Sequence, residues 1–460
     1  MLTIVKPCEI YPTAGVVPEP RSESGRILLR VFDMLERAGV PYCVLHGYGN
    51  FFANIESDID CIVGGDTRAH DLLVLFHRNR HSIGAEVVRC MGYFFVLAGR
   101  NADGSPCFLA LDFATDCDVN DLRLYDGGEI LATRRRYTQY YIPTVDIEFG
   151  ALLVRSFAKQ TLDDERARWL SKLFQQDPER CAVQVARYWT DANAKLILES
   201  ARSGDWIPVR ERFANLHSQL RRRAVSRRPL RFLANKVRGL LGRAKRLLRP
   251  GGVSVVFLGP DGAGKSSAID ATGPKLSDVF AHWTCWGFAP GLRHFIRRGK
   301  RSTGEPHGLP PRSLPVSLVR LTYWFVYHTL AFVTLRLALA RSTLVLYDRH
   351  FVDILVDQQR YRYGGPVGLL RLLWRFIPKP DLIVLLDAPT EILQARKQEV
   401  PFEVTARQRE AYLALVRTLP NGRIVDANVP PERVANAVSE AILKWTAERI
   451  VRRHIPLEPL

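Results

Sequence analysis

The feature that most constrains the fold is an apolar run followed by a glycine-rich loop, VSVVFLGPDGAGKSS at 253–267. The apolar and β-branched residues 253–258 are typical of a buried strand in a parallel sheet. The loop fits G-x-x-x-x-G-K-[ST], with Gly259, Gly264, Lys265 and Ser266 at the defining positions. Its backbone N–H groups and the N-terminus of the next helix can face the oxygens of a phosphate. The stretch therefore predicts a nucleoside triphosphate site.

The side chains of this loop have separate expected roles. We expect Lys265 to reach the β- and γ-phosphates and the Ser266 hydroxyl to ligate Mg²⁺. Asp261, Gly262 and Ser267 lie in the same stretch, and we assign them to the nucleotide site as well.

Apolar strands are also predicted at 343–347 and 382–386, with helical patterns between them, which indicates a parallel sheet covered by helices. The strand 343–347 ends in Asp348 and Arg349. Ligands collect at the carboxyl ends of parallel strands. A carboxylate there can hold Mg²⁺, and a guanidinium can bind a phosphate through two hydrogen bonds.

The helical stretch after 382–386 leads to Arg396 and Lys397, which stand before a break at Pro401. Cations on a loop near a triphosphate suit a closing lid that stabilises charge on the transferred phosphoryl group.

Residues 253–445 resemble thymidylate kinase and its relatives among the nucleoside monophosphate kinases. The matching stretches are GPDGAGKSS, YDRH, PDLIVLLDAPTEILQARK and REAYLALVRTLPNGRIVDANVPPERVANAV. The resemblance implies ATP as the donor and Mg²⁺ bound by Ser266 and Asp348. It also implies acceptor-phosphate binding by Arg349 and lid cations at Arg396 and Lys397.

The acceptor side departs from that family. Where its members have small residues and then Tyr-Gln, this chain has Asp353 and then Asp357-Gln358. At a spacing of i, i+4, Asp353 and Asp357 are predicted to share one face of a helix. Two carboxylates suit sugar hydroxyls, a basic group or a second metal better than a flat thymine ring. The YDRH…RYRYGG form of the motif resembles proteins of polysaccharide biosynthesis, so the acceptor stays open between a nucleotide, a sugar and a sugar phosphate.

A second acidic pattern lies in YCVLHGYGNFFANIESDIDCIV. Asp58 and Asp60 alternate along a predicted strand and so face one side, and Asp112 lies on a later strand. Three converging carboxylates can hold two metal ions for attack on an α-phosphate. Residues 26–120 resemble the nucleotidyltransferase fold, with a helical partner to about 220. Because Tyr48 replaces the usual small residue after Gly47, catalysis, nucleotide binding without transfer and a structural remnant all stay open.

The net charge of +18 is concentrated between Arg221 and Pro250, where twelve Lys or Arg and no acids interleave with leucines. Such a stretch can be a linker helix that packs its leucines on a neighbouring domain, or it can lie on an anionic membrane surface. Basic stretches also bind nucleic acid, but no motif for RNA or DNA accompanies this one, so specific nucleic-acid binding is not predicted.

Eight scattered cysteines without a C-x-x-C pair are typical of reduced thiols in a cytoplasm. The N-terminus shows no signal-peptide pattern. Residues 321–340 are long enough for a membrane span, but His328 and Arg336 interrupt them, so we expect a buried helix. We expect a cytoplasmic protein, peripheral at the inner face of the membrane if the basic stretch binds lipid.

These patterns predict an α/β protein with an α+β nucleotidyltransferase-like domain and a P-loop domain built on a parallel sheet. The predicted parts are an N-terminal extension (1–25), the nucleotidyltransferase-like domain (26–145), a helical subdomain (146–220), the basic linker (221–250) and the P-loop domain (251–450).

Three functions stay open: a bifunctional enzyme with an ATP-dependent kinase, a nucleotidyltransferase regulated by its P-loop domain, and a membrane-surface scaffold. The combination of Lys265, Ser266, Asp348 and Arg349 favours the kinase over the scaffold. The oligomeric state stays open.

Overall fold

The computed structural model describes residues 20–48, 51, 55, 57–119, 122–227, 237, 239, 241, 242, 244, 246–288 and 310–455. The chain forms two compact units. The N-terminal unit comprises Met1–Gly242 and Ile450–Leu460, and the C-terminal unit comprises Arg243–Arg449.

The described part of the N-terminal unit contains helices and short strands in alternation. Its helices are α1 (Glu23–Arg37), α2 (Ala69–Arg78), α3 (Arg80–Ile83), α4 (Gly127–Thr133), α5 (Val145–Lys159), α6 (Asp164–Gln176), α7 (Pro178–Ala186), α8 (Asp191–Ser203), α9 (Ile207–Glu211) and α10 (Phe213–Arg227). Its strands are β1 (Tyr42–Val44), β2 (Ile59–Val63), β3 (Glu86–Met91), β4 (Phe94–Arg100), β5 (Pro106–Ala114), β6 (Cys117–Val119), β7 (Leu122–Tyr125), β8 (Arg135–Tyr137) and β9 (Tyr140–Ile142).

The main sheet of this unit has the strand order β1-β2-β5-β4-β3. Strands β4 and β5 form an antiparallel pair, and their turn contains Gly104 at a φ of +81°. Strands β2 and β5 run parallel, with Asp60 directly opposite Asp112. The sheet register therefore brings together two acids that are far apart in the sequence.

Helices α5 to α10 share an apolar core in which Trp189, Phe157 and Leu170 are fully buried. Helix α5 is apolar around most of its circumference, as expected of a helix covered on several sides. Its polar exceptions include Arg155, which reaches the acids of the sheet.

The C-terminal unit alternates strands and helices in the predicted way. Its strands are β10 (Val253–Leu258), β11 (His282–Trp286), β12 (Thr343–Tyr347), β13 (Leu382–Asp387) and β14 (Gly422–Asp426). Its helices are α11 (Lys265–Lys275), α12 (Leu314–Ala340), α13 (Val367–Phe376), α14 (Thr390–Arg396) and α15 (Phe402–Arg417), and α16 (Pro431–His454) begins in it.

These strands form one parallel sheet in the order β11-β12-β10-β13-β14. Every residue of β10 is buried, which explains its unbroken apolar sequence. Because β10 lies between β12 and β13, the phosphate loop and the Asp348–Arg349 pair emerge from neighbouring strands at the carboxyl edge. This is the edge at which parallel sheets bind ligands.

The expectation of a buried helix over 321–340 is wrong for most of that segment. Helix α12 buries Leu321, Trp324 and His328 on one side, but only 22% of its most apolar stretch is buried. Within the described ranges, α12 is the one helix long and apolar enough, by length and composition alone, to cross a membrane. Its exposed apolar residues include Val319, Tyr323, Val326, Leu330, Val333 and Leu337.

Candidate active site

The loop between β10 and α11 has the backbone geometry of a phosphate cradle. Gly259, Gly262 and Gly264 have φ angles of +145°, +85° and +83°, which favour glycine over other residues. A Cβ atom on Gly262 would lie 2.5 Å from the carbonyl oxygen of Leu393. The loop therefore needs glycine for its path and for its close packing.

Lys265 is the first residue of α11 and folds back over the loop. Its Nζ donates hydrogen bonds to the carbonyl oxygens of Gly259 at 2.5 Å and Pro260 at 3.0 Å. Burial lowers the pKa of Lys265, and the charges of Asp261 and Asp353 partly oppose this. Phosphate oxygens accept stronger hydrogen bonds from an ammonium than neutral carbonyls do.

A cavity beside the loop brings six of the predicted kinase residues together. The predicted residues that line it are Gly259, Asp261, Lys265, Arg349, Asp353 and Asp357. Side chains that the sequence did not single out complete the wall, namely those of Pro260, Arg360, Tyr361, Gln408 and Tyr412. The cavity thus combines cations suited to phosphate with carboxylates suited to hydroxyl or amino groups.

Asp353 is buried in this cavity with both carboxylate oxygens engaged. One oxygen accepts from the backbone N–H of His350 at 2.8 Å, and the other accepts from the hydroxyl of Tyr412 at 3.2 Å. Burial raises the pKa of Asp353 to about 6, although the His350 N–H, Lys265 and Arg349 favour its ionised form.

The local backbone around Asp353 differs from the predicted α-helix. Asp353 lies in a 3₁₀-helix, Phe351–Leu355, which ends before Asp357. The backbone N–H of Asp357 nevertheless donates to the carbonyl oxygen of Asp353 at 2.9 Å. This turn places both carboxylates in the cavity wall, so the predicted proximity holds without a shared α-helical face.

Eight of the predicted residues lie outside the cavity wall, namely Gly262, Gly264, Ser266, Ser267, Asp348, Gln358, Arg396 and Lys397. Gln358 donates to the carbonyl oxygen of Leu355, and Arg396 donates to that of Ala427 at 2.9 Å. Ser266 and Ser267 follow Lys265 on α11. Lys397, the second lid cation, pairs with Glu399.

Asp348 directly follows β12, beside Arg349. Burial lowers the pKa of Lys265, and the charge of Asp348 partly opposes this.

In the N-terminal unit, the three predicted acids converge. One carboxylate oxygen from each of Asp58, Asp60 and Asp112 lies within 4.8 Å of the other two. The Asp60 carboxylate also contacts Arg155 at 3.0 Å and His46 at 2.9 Å. Arg155 lies 95 residues further along the chain than Asp60, and His46 lies in the loop after β1. No pattern in the sequence indicated either residue as a partner of Asp60.

The acids of this cluster differ in their pKa. Burial raises the pKa of Asp60, but its hydrogen bond to His46 and the charge of Arg155 lower it to about 2. Burial and the charges of Asp60 and Asp58 raise the pKa of Asp112 to about 6. Carboxylate oxygens at this spacing are the donors that Mg²⁺ prefers.

Tyr48, which replaces the small residue expected after Gly47, is held by specific contacts in the fold. Its ring is buried, and its hydroxyl donates to the carboxylate of Glu148 at 2.6 Å. Glu148 is itself buried and accepts a second hydrogen bond from Trp169. A packing role therefore accounts for tyrosine at this position.

Known proteins similar to this chain include several thymidylate kinases, although no protein-family model matches. The thymidylate kinase of Thermomicrobium roseum is 36% identical over 205 residues, which cover 40% of this chain and 91% of that protein. That of Xanthomonas euvesicatoria is 29% identical over 222 residues, covering 44% and 88%.

A crystal structure of thymidylate kinase from Ehrlichia chaffeensis shares 18% identity at a TM-score of 0.30, covering 42% of this chain and 100% of that one. The curated relatives cover less than half of the chain, so the nucleotidyltransferase resemblance stays a prediction. The resemblance predicted from the phosphate loop and YDRH is confirmed: over about 40% of its length, this chain belongs to the thymidylate kinase family of phosphotransferases.

Proposed function

We propose that the C-terminal unit transfers the γ-phosphate of ATP to a small acceptor, which is a nucleotide, a sugar or a sugar phosphate. One observation carries this proposal: Lys265 of the phosphate loop lines the same cavity as Arg349 and the buried Asp353. ATP and the acceptor could therefore bind in one cavity at the carboxyl edge of a parallel sheet. The kinship with thymidylate kinases supports nucleotide-kinase chemistry.

The loop fits a triphosphate because its glycines keep side chains away from the cradle and α11 begins directly at Lys265. Ser266 and Asp348 would hold Mg²⁺ through hydroxyl and carboxylate oxygens. When bound, Mg²⁺ neutralises charge on the β- and γ-phosphates. Arg349 would bind the transferred phosphoryl group or an acceptor phosphate, and Arg396 and Lys397 would act as lid cations after leaving their present partners.

The direct test is phosphoryl transfer by the full-length protein. Radiolabelled ATP and Mg²⁺ are supplied with nucleoside monophosphates, monosaccharides and sugar phosphates, and labelled products are separated by chromatography. We expect label in at least one acceptor. A protein that binds no ATP in the presence of Mg²⁺ would contradict the proposal.

The N-terminal unit has a second candidate function, metal-dependent binding or transfer of a nucleotide. The observation that favours it is the convergence of Asp60 and Asp112 from two parallel strands with Asp58, which directly precedes the first of them. Three carboxylates can hold metal ions that stabilise attack on an α-phosphate. The test is metal-dependent nucleotidyl transfer by the full-length protein from a labelled nucleoside triphosphate to sugar phosphates, RNA or protein. Loss of that activity in an Asp58→Asn/Asp60→Asn variant would support this function.

A further inference from the structure

Asp353 is a buried carboxylate in the wall where donor and acceptor meet. Lys265 from the phosphate loop, Arg349 from just after β12 and Tyr412 from α15 line the same cavity. Tyr361 and Asp357 line the same wall. The Tyr412 hydroxyl and the His350 N–H hold the carboxylate in one orientation. A structural ion pair does not explain its position, because among the described residues both carboxylate oxygens accept from uncharged donors.

The chemistry of the acceptor decides whether a kinase needs such a group. A phosphate acceptor arrives already ionised, so its oxygen attacks without a base. An alcohol must lose its proton as its oxygen bonds to phosphorus, and kinases acting on hydroxyls use a positioned carboxylate for this. A carboxylate fixed beside Lys265 and Arg349 suits the second kind of acceptor.

We propose that the acceptor group is a hydroxyl and that Asp353 accepts its proton, an inference that rests on the proposed ATP-dependent transfer. The acceptor O–H proton moves to an Asp353 carboxylate oxygen as the acceptor oxygen forms a bond to the γ-phosphorus. The bond from that phosphorus to the β–γ bridging oxygen breaks. ADP then leaves with the negative charge on its β-phosphate, next to Lys265.

A neighbouring side chain points to the same class of acceptor. The Tyr361 hydroxyl is buried in the cavity wall and has no hydrogen-bond partner among the described residues. Burial and the charge of Asp353 raise its pKa well above the ordinary value, so it stays a donor. With Tyr361 as donor and Asp357 as acceptor, the wall offers complementary groups to a molecule with several hydroxyls.

The identity of the product tests the inference without any mutation. The full-length protein is incubated with ATP and Mg²⁺ and with dTMP, D-mannose, N-acetyl-D-glucosamine or D-glucose 1-phosphate, and phosphorus NMR distinguishes the products. We expect a new phosphate monoester. Formation of a phosphoanhydride alone overturns the hydroxyl acceptor but leaves the proposed kinase standing. Absence of transfer to every acceptor overturns both.

Variants test the role of the carboxylate. We expect Asp353→Asn to lower kcat by about 100-fold or more. It should retain binding of a fluorescent ATP analogue, which also reports that the unit is folded. The wild-type rate should fall as the pH drops through about 6, where Asp353 takes up a proton, and this limb should be absent in Asp353→Asn.

Two further variants keep this test decisive. Asp353→Glu retains a carboxylate and should keep the acid limb at a reduced rate, which a purely structural role does not predict. Asp278→Asn removes an exposed carboxylate of the same unit. It should change neither kcat nor the fall of the rate below about pH 6. A folded Asp353→Asn variant with the wild-type rate and limb overturns the assignment of the base.

Discussion

Arg360 forms an ion pair with Asp261 of the phosphate loop, from a position 99 residues further along the chain. Both side chains are largely buried, at 11% and 14% exposure. Burial raises the pKa of Asp261, but a hydrogen bond with Glu399 and the charges of Arg360 and Lys265 lower it below its ordinary value. The pair connects the cavity wall that contains Asp353 and Asp357 to the phosphate loop.

Breaking this pair should destabilise the C-terminal unit. Asp261→Asn or Arg360→Gln leaves one buried charge without its partner, which costs about 3 kcal/mol. The double variant should lose less than the sum of the single losses, because neither charge is then stranded. Calorimetry that follows the unfolding transition of this unit measures all three. Strictly additive losses would contradict a direct interaction.

Removal of the Lys265 charge should abolish most phosphoryl transfer. Its ammonium acts where negative charge shifts during the reaction, so Lys265→Ala should lower kcat by about 100- to 1,000-fold. Lys444→Ala, which removes an exposed lysine of the same unit, is the control. The measurement is transfer from radiolabelled ATP, with melting temperature as the check on folding. Unchanged turnover in a folded Lys265→Ala protein would falsify the kinase assignment.

The acid cluster should make the N-terminal unit sensitive to divalent metal. We expect Mg²⁺ or Mn²⁺ to raise its melting temperature in the wild type and to have no such effect on Asp58→Asn/Asp60→Asn. Asp58→Asn alone spares the Asp60–Arg155 pair and separates metal loss from ion-pair loss. Asp66→Asn, an exposed acid, is the control. If the metal shifts the melting temperature equally in all variants, the cluster does not bind metal and has only a structural role.

Kinase turnover in the same variants tests whether the two activities are separate. Independent sites predict normal phosphoryl transfer in Asp58→Asn/Asp60→Asn. A collapse of that transfer in a folded variant points instead to coupling between the activities.

Asp112 should make the N-terminal unit less stable as the pH rises. Its folded pKa of about 6 lies above the ordinary value of about 3.9, so the folded chain holds a proton that the unfolded chain releases between them. This contribution is full below about pH 4 and is lost as the pH rises through about 6. In metal-free buffer, Asp112→Asn should therefore raise the melting temperature more at pH 8 than at pH 5. A constant difference would contradict the raised pKa.

We propose that the basic stretch contacts anionic lipid. Its described leucines Leu241, Leu247 and Leu248 are exposed, which favours a surface role over packing on a neighbouring domain. Sedimentation with phosphatidylserine vesicles should occur at low salt and fade at high salt, as screening predicts. It should weaken when four exposed arginines are replaced by serine, namely Arg221, Arg222, Arg246 and Arg249. Absence of binding at low salt would leave the linker interpretation.

The sequence by itself determined the local elements of the kinase site. The run of apolar residues in β10, the glycines of the loop and the position of Lys265 depend on neighbours in the chain, so a short pattern predicts them. The parallel sheet covered by helices was predicted from the alternation of strand and helix patterns, but the order of the strands within it was not. The acids Asp58, Asp60 and Asp112 could be proposed as a cluster because alternation puts the first two on one face and the nucleotidyltransferase resemblance adds an acid from a later strand. The parallel register that places Asp60 opposite Asp112 came only from the structure.

Only the tertiary structure decided which distant side chains complete the sites. Arg360 and Tyr412 reach the kinase cavity, and Arg155 reaches Asp60, through contacts between elements separated by about 60 to 100 residues. Nothing in the local sequence distinguishes these residues from the many other arginines and tyrosines. The same limit explains α12, whose apolar composition could not tell a buried helix from an exposed one. Burial depends on what packs against an element, and that is settled only when the whole chain has folded.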